Sequence, residues 1–106
     1  MPKYLIEATY TTEGVRGLLK DGGTKRRAAI DAAIKAVGGT LESFYFGFGS
    51  SDAYVLVGGV DASAVAAIGL TVSASGAVHT KTTVLLTPEE IDKACQTTIA
   101  YRPPGA

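Results

Sequence analysis

The sequence has no tryptophan and no asparagine, and it contains only one histidine, His79, and one cysteine, Cys95. A single cysteine excludes a disulfide within the chain and favours a reducing compartment. One histidine and one cysteine, far apart in sequence, offer too few ligands for a metal site and form no recognisable nucleophile pair. We therefore expect neither a metal ion nor a cofactor.

Long hydrophobic runs are also absent. No apolar run approaches the ~20 residues that a membrane-spanning helix needs, and Met1-Pro2-Lys3 leads directly into a strand-like pattern without the hydrophobic region of a signal peptide. Ten basic residues balance ten acidic residues, so the chain has no net positive charge that would attract nucleic acid. These absences predict a soluble cytoplasmic protein without membrane or nucleic-acid partners.

Hydrophobic periodicity divides the chain into strands and helices. A period of two indicates strands, and spacings of three and four indicate helices. A length of 106 residues fits one domain, residues 1–106. Its expected elements are a strand at 3–10, one kinked or broken helical crossover with segments at 12–21 and 24–37, strands at 40–49 and 52–60, a helix at 62–74, a strand at 77–86, a helix from 88 to about 99 and an extended arm at 101–106.

The order β-α-β-β-α-β with an appended helix predicts a ferredoxin-like α+β fold. Right-handed crossovers then give a four-stranded antiparallel sheet with its two main helices on one face. Asp61 and Thr87 are the expected caps of the last two helices. We expect Cys95 to lie in the helix core, on the face of Ile91 and Ile99.

The second face of this sheet has no predicted helix over it, although its strands are not cleanly polar. Leu5, one of Leu85 and Leu86, and either Tyr45 or the row Phe44/Phe46/Phe48 have to lie there. An exposed apolar face predicts a partner. We expect a homodimer in which two sheets pack face to face, with the segment 101-YRPPGA-106 packed across the neighbouring subunit.

Four stretches together resemble the GYD-domain proteins. They are 4-YLIEATYTTEGVRGLLKDGGTKRRAAI-30, the aromatic hairpin with Gly49 and Asp52, 80-TKTTVLLTPEEID-92 and 101-YRPPG-105. The resemblance covers nearly the whole chain and implies a small bacterial protein with the dimeric α/β-barrel form of this fold. This chain departs from the pattern at Ser51, where the family usually has tyrosine before the aspartate. The resemblance implies no particular reaction or ligand.

The turn Gly49-Ser50-Ser51-Asp52 is the first candidate site. Serine and aspartate side chains bond readily to backbone N–H groups in turns, so one interpretation is a capped hairpin. In the other, Asp52 and the serines lie beside aromatics such as Tyr45 and orient a small polar ligand.

Three cations, Lys25, Arg26 and Arg27, form the second candidate site at the start of a helix. The helix dipole makes each positive charge there unfavourable by ~0.3–1 kcal/mol. Either these side chains are solvated or paired with acids such as Asp21 and Asp31, or Arg26, Arg27 and the free N–H groups hold an anion.

Glu7, His79 and Lys81 form the third candidate site, on neighbouring strands. They either build an ion-pair network that fixes the register of the dimer or line a cavity for acid–base work. We assign no catalytic residue, with Glu7 and His79 as candidates. The ligand-binding candidates are Asp52, Lys81, Tyr45, Arg26 and Arg27.

Two functions fit these observations. The first is a homodimeric small-molecule-binding or interaction module. The second, by analogy with other dimeric α/β-barrel proteins, is a cofactor-free oxygenase or isomerase. Haem degradation is disfavoured, since the haem-degrading members of that architecture rely on Asn, Trp and His together and this sequence has neither Asn nor Trp.

Overall fold

The structure, a computed structural model, describes residues 2–106, which form four strands and four helices. The elements are β1 (Lys3–Tyr10), α1 (Thr12–Asp21), α2 (Gly23–Ala36), β2 (Thr40–Phe46), β3 (Ala53–Gly58), α3 (Ala62–Ala74), β4 (Val78–Leu85) and α4 (Pro88–Gln96). The predicted order and the α+β class are confirmed. None of the helices among these residues is long and apolar enough to cross a membrane.

The sheet has four strands in the order β2-β3-β1-β4, and every neighbouring pair is antiparallel. The first and last strands are therefore neighbours, as the ferredoxin-like topology requires. β1 occupies a central position, where Tyr4 pairs with Val57 on one side and Val84 on the other. Because β1 pairs with β3 on one side and β4 on the other, its register determines which residues of those two strands lie on each face of the sheet.

The core lies between one face of the sheet and helices α2 and α3. Successive strand residues point to opposite faces, so the even-numbered residues of β1 share the helix-covered face. Ile34 of α2 and Val57 of β3 have no exposed surface there. The central cluster comprises Tyr4, Ile6, Ile34, Val55, Val57, Val60, Val65 and Ile68.

Local capping explains why the helices begin where they do. Thr11 caps α1 by accepting the N–H of Gly14 at 3.2 Å, and Asp61 caps α3 by accepting the N–H of Ala64 at 2.9 Å. This backbone bond holds the pKa of Asp61 below its usual range. The predicted break between α1 and α2 falls at Gly22, whose φ of 83° suits glycine.

The hairpin strands are shorter than predicted. β2 ends at Phe46 and β3 begins at Ala53, so residues 47–52 form the connection rather than Ser50-Ser51 alone. The N–H of Gly47 donates to the carbonyl of Asp52 at 2.9 Å and closes this loop. Apolar residues such as Phe48 resemble strand residues in sequence, but Phe48 lies in the loop and is fully exposed.

The C-terminal helix also departs from the prediction. It ends at Gln96 rather than near Ile99, with an extended Thr97, because β-branched residues at 97–99 favour extended backbone. The placement of Cys95 in a helix core is wrong for the protomer, since Cys95 is exposed and α4 has no buried residue. The amphipathic pattern of α4 is real, but its apolar side is not covered by any of residues 2–106.

The exposed C-terminal region makes the chain elongated. Its principal extents are 56 × 33 × 23 Å and its radius of gyration is 17.0 Å. A compact chain of this length has a radius of gyration of about 13 Å. Every residue from 88 to 106 is exposed, so α4 and the following segment extend from the protomer without contributing to its core.

Candidate functional site

The face of the sheet without helices has an apolar half and a polar half. In the apolar half, Leu5 pairs with Leu56 and Thr83, and Leu85 lies opposite Lys3. This register places Leu85 of β4, rather than Leu86, on the same face as Leu5. All of these residues are at least partly exposed to solvent.

The aromatic hairpin contributes tyrosines rather than phenylalanines to this open face. Tyr45, which is 70% exposed, pairs with Tyr54 across the β2–β3 ladder. Phe44 packs against the core on the opposite face, and its ring meets Phe46 edge-on with the centroids 5.1 Å apart. Of the two alternatives that the sequence left open, the structure therefore selects Tyr45.

The polar half contains a cavity of about 200 Å³ in which every lining residue has a polar side chain. The register places Glu7 opposite Lys81 and Thr9 opposite His79 on β1 and β4. The lining residues are Glu7, Thr9, Ser50, Ser51, His79, Thr80 and Lys81. The structure thus brings together the three polar candidates that the sequence placed on neighbouring strands.

Within this polar pocket, Glu7 has one hydrogen-bond donor and no ion-pair partner among residues 2–106. Ser51, only 8% exposed, donates its hydroxyl to Oε1 of Glu7 over a long 3.4 Å. Lys81 is the cross-strand neighbour of Glu7, but the ion pairs of the described chain are Lys3–Glu42 and Lys35–Asp31. Both charged groups of the pocket therefore remain available to a ligand.

Asp52 has a backbone role next to this pocket rather than a place in its lining. Its Oδ2 accepts the N–H of Tyr10 at 2.9 Å, and its own N–H donates to the carbonyl of Ala8 at 2.8 Å. These bonds continue the β1–β3 ladder past the last strand pair. They account for an aspartate at the end of the hairpin by fixing the loop against β1.

The basic cluster of α2 lies on the other side of the sheet and is divided between two places. Arg26 has its guanidinium carbon 5.9 Å from the centroid of the Tyr10 ring. Arg27 lies beside Thr24 and Asp31 in a separate groove along β2. The N-terminus of α2 has no side-chain cap and no acidic residue in its first turn. The structure thus separates Arg26 and Arg27 from Lys81.

Sequence reasoning missed one residue of the open face, Tyr54, and one hydrogen bond, from Ser51 to Glu7. Tyr54, between Tyr45 and Glu7 in the sheet, was not singled out, although period two in β3 places it beside Leu56 on one face. Ser51 was expected either to cap the hairpin turn or to orient a ligand beside Asp52, and its hydrogen bond to Glu7 was not predicted. No local signal could reveal that bond, because the two residues meet only through tertiary pairing of β1 with the hairpin.

The fold and the open face define a small α+β protein with an apolar sheet surface beside a polar pocket. The family model described as GYD domain matches residues 4–95, and the chain belongs to this family. Comparisons with curated proteins and with solved structures found no match. The family therefore agrees with the resemblance that the sequence showed, and the function has to be argued from the site.

Proposed function

We propose that the protein is a homodimeric small-molecule-binding module whose polar pocket becomes enclosed when two copies pack through their open sheet faces. The observation that carries this proposal is the position of the pocket on the same uncovered face as Leu5 and Leu56. Burial of the apolar half drives association, because contact removes hydrocarbon from water. The polar half then lies next to the interface.

The C-terminal region supports a second copy as the occupant of the open face. Ile91 is 46% exposed, Ile99 is 76% exposed and Tyr101 is 73% exposed, so the region presents apolar side chains that its own protomer does not cover. A twofold dimer gives each protomer one such region and one open face. Each protomer of such a dimer therefore has one uncovered C-terminal region and one uncovered sheet face, and its partner can bury both.

The pocket chemistry suits a small polar ligand with hydrogen-bonding groups of both kinds. Glu7 supplies a carboxylate, Lys81 supplies an ammonium group, and the hydroxyls of Thr9, Ser50 and Ser51 both donate and accept. Enclosure by a partner removes water and strengthens each of these interactions. The volume of about 200 Å³ before enclosure fits a small metabolite rather than a polymer.

Native mass spectrometry of protein purified gently from cells tests this function. We expect a dimer that carries a discrete small-molecule adduct, and Lys81→Met should release the adduct while keeping the dimer. Lys20→Met is the matched control, since Lys20 is an exposed residue of α1 and lies outside the pocket. A monomer, or an adduct that survives Lys81→Met, would contradict the proposal.

Catalysis is the second candidate function, and the shared location of Glu7 and His79 favours it. Both residues line the same pocket, where an imidazole and a carboxylate are side chains of the kind that act as general acid and base. A cofactor-free oxygenase or isomerase would show turnover in a substrate panel that disappears in both Glu7→Gln and His79→Gln. Binding without turnover supports the binding module instead.

A further inference from the structure

A second cavity lies on the helix-covered side of the sheet, inside a single protomer. It is a narrow apolar space of about 30 Å³ between the sheet and helices α2 and α3. Ile6, Ile30, Phe44, Ile68 and Val72 are among its lining residues. A single water needs ~10–15 Å³ of such space, so the cavity has room for about two groups of that size. Two such groups correspond to the two methyl groups of an isopropyl group whose branching carbon lies at the mouth of the cavity.

This apolar cavity adjoins a wider groove of about 340 Å³ beside α1 and the start of β4. Tyr10, Arg26 and Val78 line both spaces, so they form the boundary between them. A ligand at this boundary would place its apolar part in the narrow cavity and its polar part in the groove. The Arg26 guanidinium is the polar group next to that junction.

The guanidinium group of Arg26 includes a hydrogen-bond donor, Nε, that the described part of the chain leaves unpaired. Its Nε is buried and has no hydrogen-bond acceptor among residues 2–106, and neither ion pair of that part of the chain includes Arg26. A buried donor without an acceptor is costly, and this cost is larger for a charged group. The Tyr10 ring offers the guanidinium its face but no acceptor in the plane. Because Nε has almost no solvent-accessible surface, a carboxylate reaches it only when the Arg26 side chain turns toward the groove, where the carboxylate would bind Nε and a second guanidinium nitrogen together.

The groove also contains two acids, Glu13 and Asp21, and neither is paired with Arg26. A simple anion would meet one guanidinium and two carboxylates, which is an unfavourable balance. A zwitterion satisfies both signs, because its ammonium group meets the acids while its carboxylate meets Arg26.

We propose that each protomer binds a free α-amino acid with a small branched side chain between Arg26 and the apolar cavity. The carboxylate is bound by the Arg26 guanidinium, the ammonium group lies towards Glu13 and Asp21, and the isopropyl-like side chain enters the narrow cavity. This site is separate from the polar pocket of the open face and does not depend on dimer formation. It therefore goes beyond the proposed function.

Isothermal titration calorimetry and thermal unfolding with L-valine and L-leucine test the site in the full-length protein. We expect saturable binding and a raised Tm for at least one of the two. Three probes each lack one feature: 3-methylbutanoate lacks the ammonium group, isobutylamine lacks the carboxylate, and glycine lacks the side chain. Each should bind about tenfold to a hundredfold more weakly, as loss of one charge-assisted contact predicts.

Variants distinguish this site from an unrelated binding surface. Arg26→Gln keeps a polar stem but removes the charge, and it should weaken binding of the amino acid by about tenfold or more. Arg16→Gln is the matched control, since Arg16 is an exposed arginine of α1 outside the groove, and it should bind normally. Asp21→Asn tests the ammonium contact at an exposed position if Arg26→Gln folds poorly.

Three results would overturn the proposal: no saturable binding of either amino acid, equal binding by Arg26→Gln and the native protein, or equal binding of 3-methylbutanoate and valine. A monomeric protein that binds valine would refute the dimer of the proposed function and leave the amino-acid site in place. The two proposals can therefore fail separately.

Discussion

Replacement of Leu5 with alanine should weaken the dimer that we propose for the open sheet face. Leu5 lies in the apolar half of that face, where it pairs with Leu56 of β3 and Thr83 of β4. It points away from Tyr4 and Ile6, which belong to the core. Truncation therefore removes apolar surface from the proposed interface without opening a cavity beneath the helices.

The expected magnitude follows from the burial of Leu5 in its own protomer. Full burial of a leucine side chain contributes ~1.5–3 kcal/mol, and most of the Leu5 surface is already covered in its own protomer, so at most about a third of this remains for the dimer to gain. A twofold interface contains the residue twice. The substitution should cost about 1 kcal/mol of association free energy, which raises the Kd roughly fivefold.

Sedimentation equilibrium over a concentration series measures this change directly. Leu19→Ala is the matched control, since Leu19 is 82% exposed on α1 and lies outside the open face. We expect the control to keep the native Kd and both variants to keep the native far-UV circular dichroism. A native protein that stays monomeric, or equal Kd values for Leu5→Ala and Leu19→Ala, would refute the reasoning about this face.

Three further changes test the fold and the C-terminal region. Gly14→Ala places a Cβ 2.0 Å from the Ala77 carbonyl oxygen and should lower the free energy of unfolding in urea by ~1–3 kcal/mol, whereas Gly17→Ala meets open space on the same helix and should not. The hydrogen bond from the Thr87 N–H lowers the pKa of Glu90 in the folded protein. The Glu90 carboxylate therefore stabilises the start of α4 completely at pH values above its ordinary pKa of 4.5, and this stabilisation is lost as the pH falls through the lower pKa of the folded state. NMR shifts of α4 should show that loss in acid, and Glu90→Gln, which keeps a side-chain acceptor, should remove the pH dependence. Deletion of residues 97–106, all exposed, should raise the Kd of the dimer but leave the urea midpoint of the protomer unchanged; an unchanged Kd would contradict a role for the arm.

The element order was predictable because its signals are local. Thr11, Asp61 and Thr87 each cap a helix through a bond to the N–H three residues later, so a few adjacent residues contain the information. The antiparallel hairpin is similarly local, since β2 and β3 follow one another in the chain. The alternation in β1 also predicted that Tyr4 and Leu5 lie on opposite faces.

The pocket could be predicted only in part, because its geometry depends on pairing between distant segments. Topology placed Glu7 near His79 and Lys81, since the first and last strands of this fold are neighbours. The role of Ser51 depends on how the hairpin loop lies against β1, and no local pattern records that. Cys95 shows another limit, since periodicity identifies an apolar helix side but not which chain covers it.

Successive side chains of β1 point to opposite faces of the sheet, so a substitution in the polar pocket can be tested without changing the core. Ile6 and Ala8 are buried beneath the helices, while Glu7 between them lines the polar pocket on the opposite face. Glu7→Gln therefore changes the charge of the pocket without altering the packing of the core. A shift of one residue in register would move Glu7 into the core, where an unpaired carboxylate is costly. A residue of the proposed binding pocket thus also disfavours the wrong strand register, which links the proposed site to the specificity of the fold.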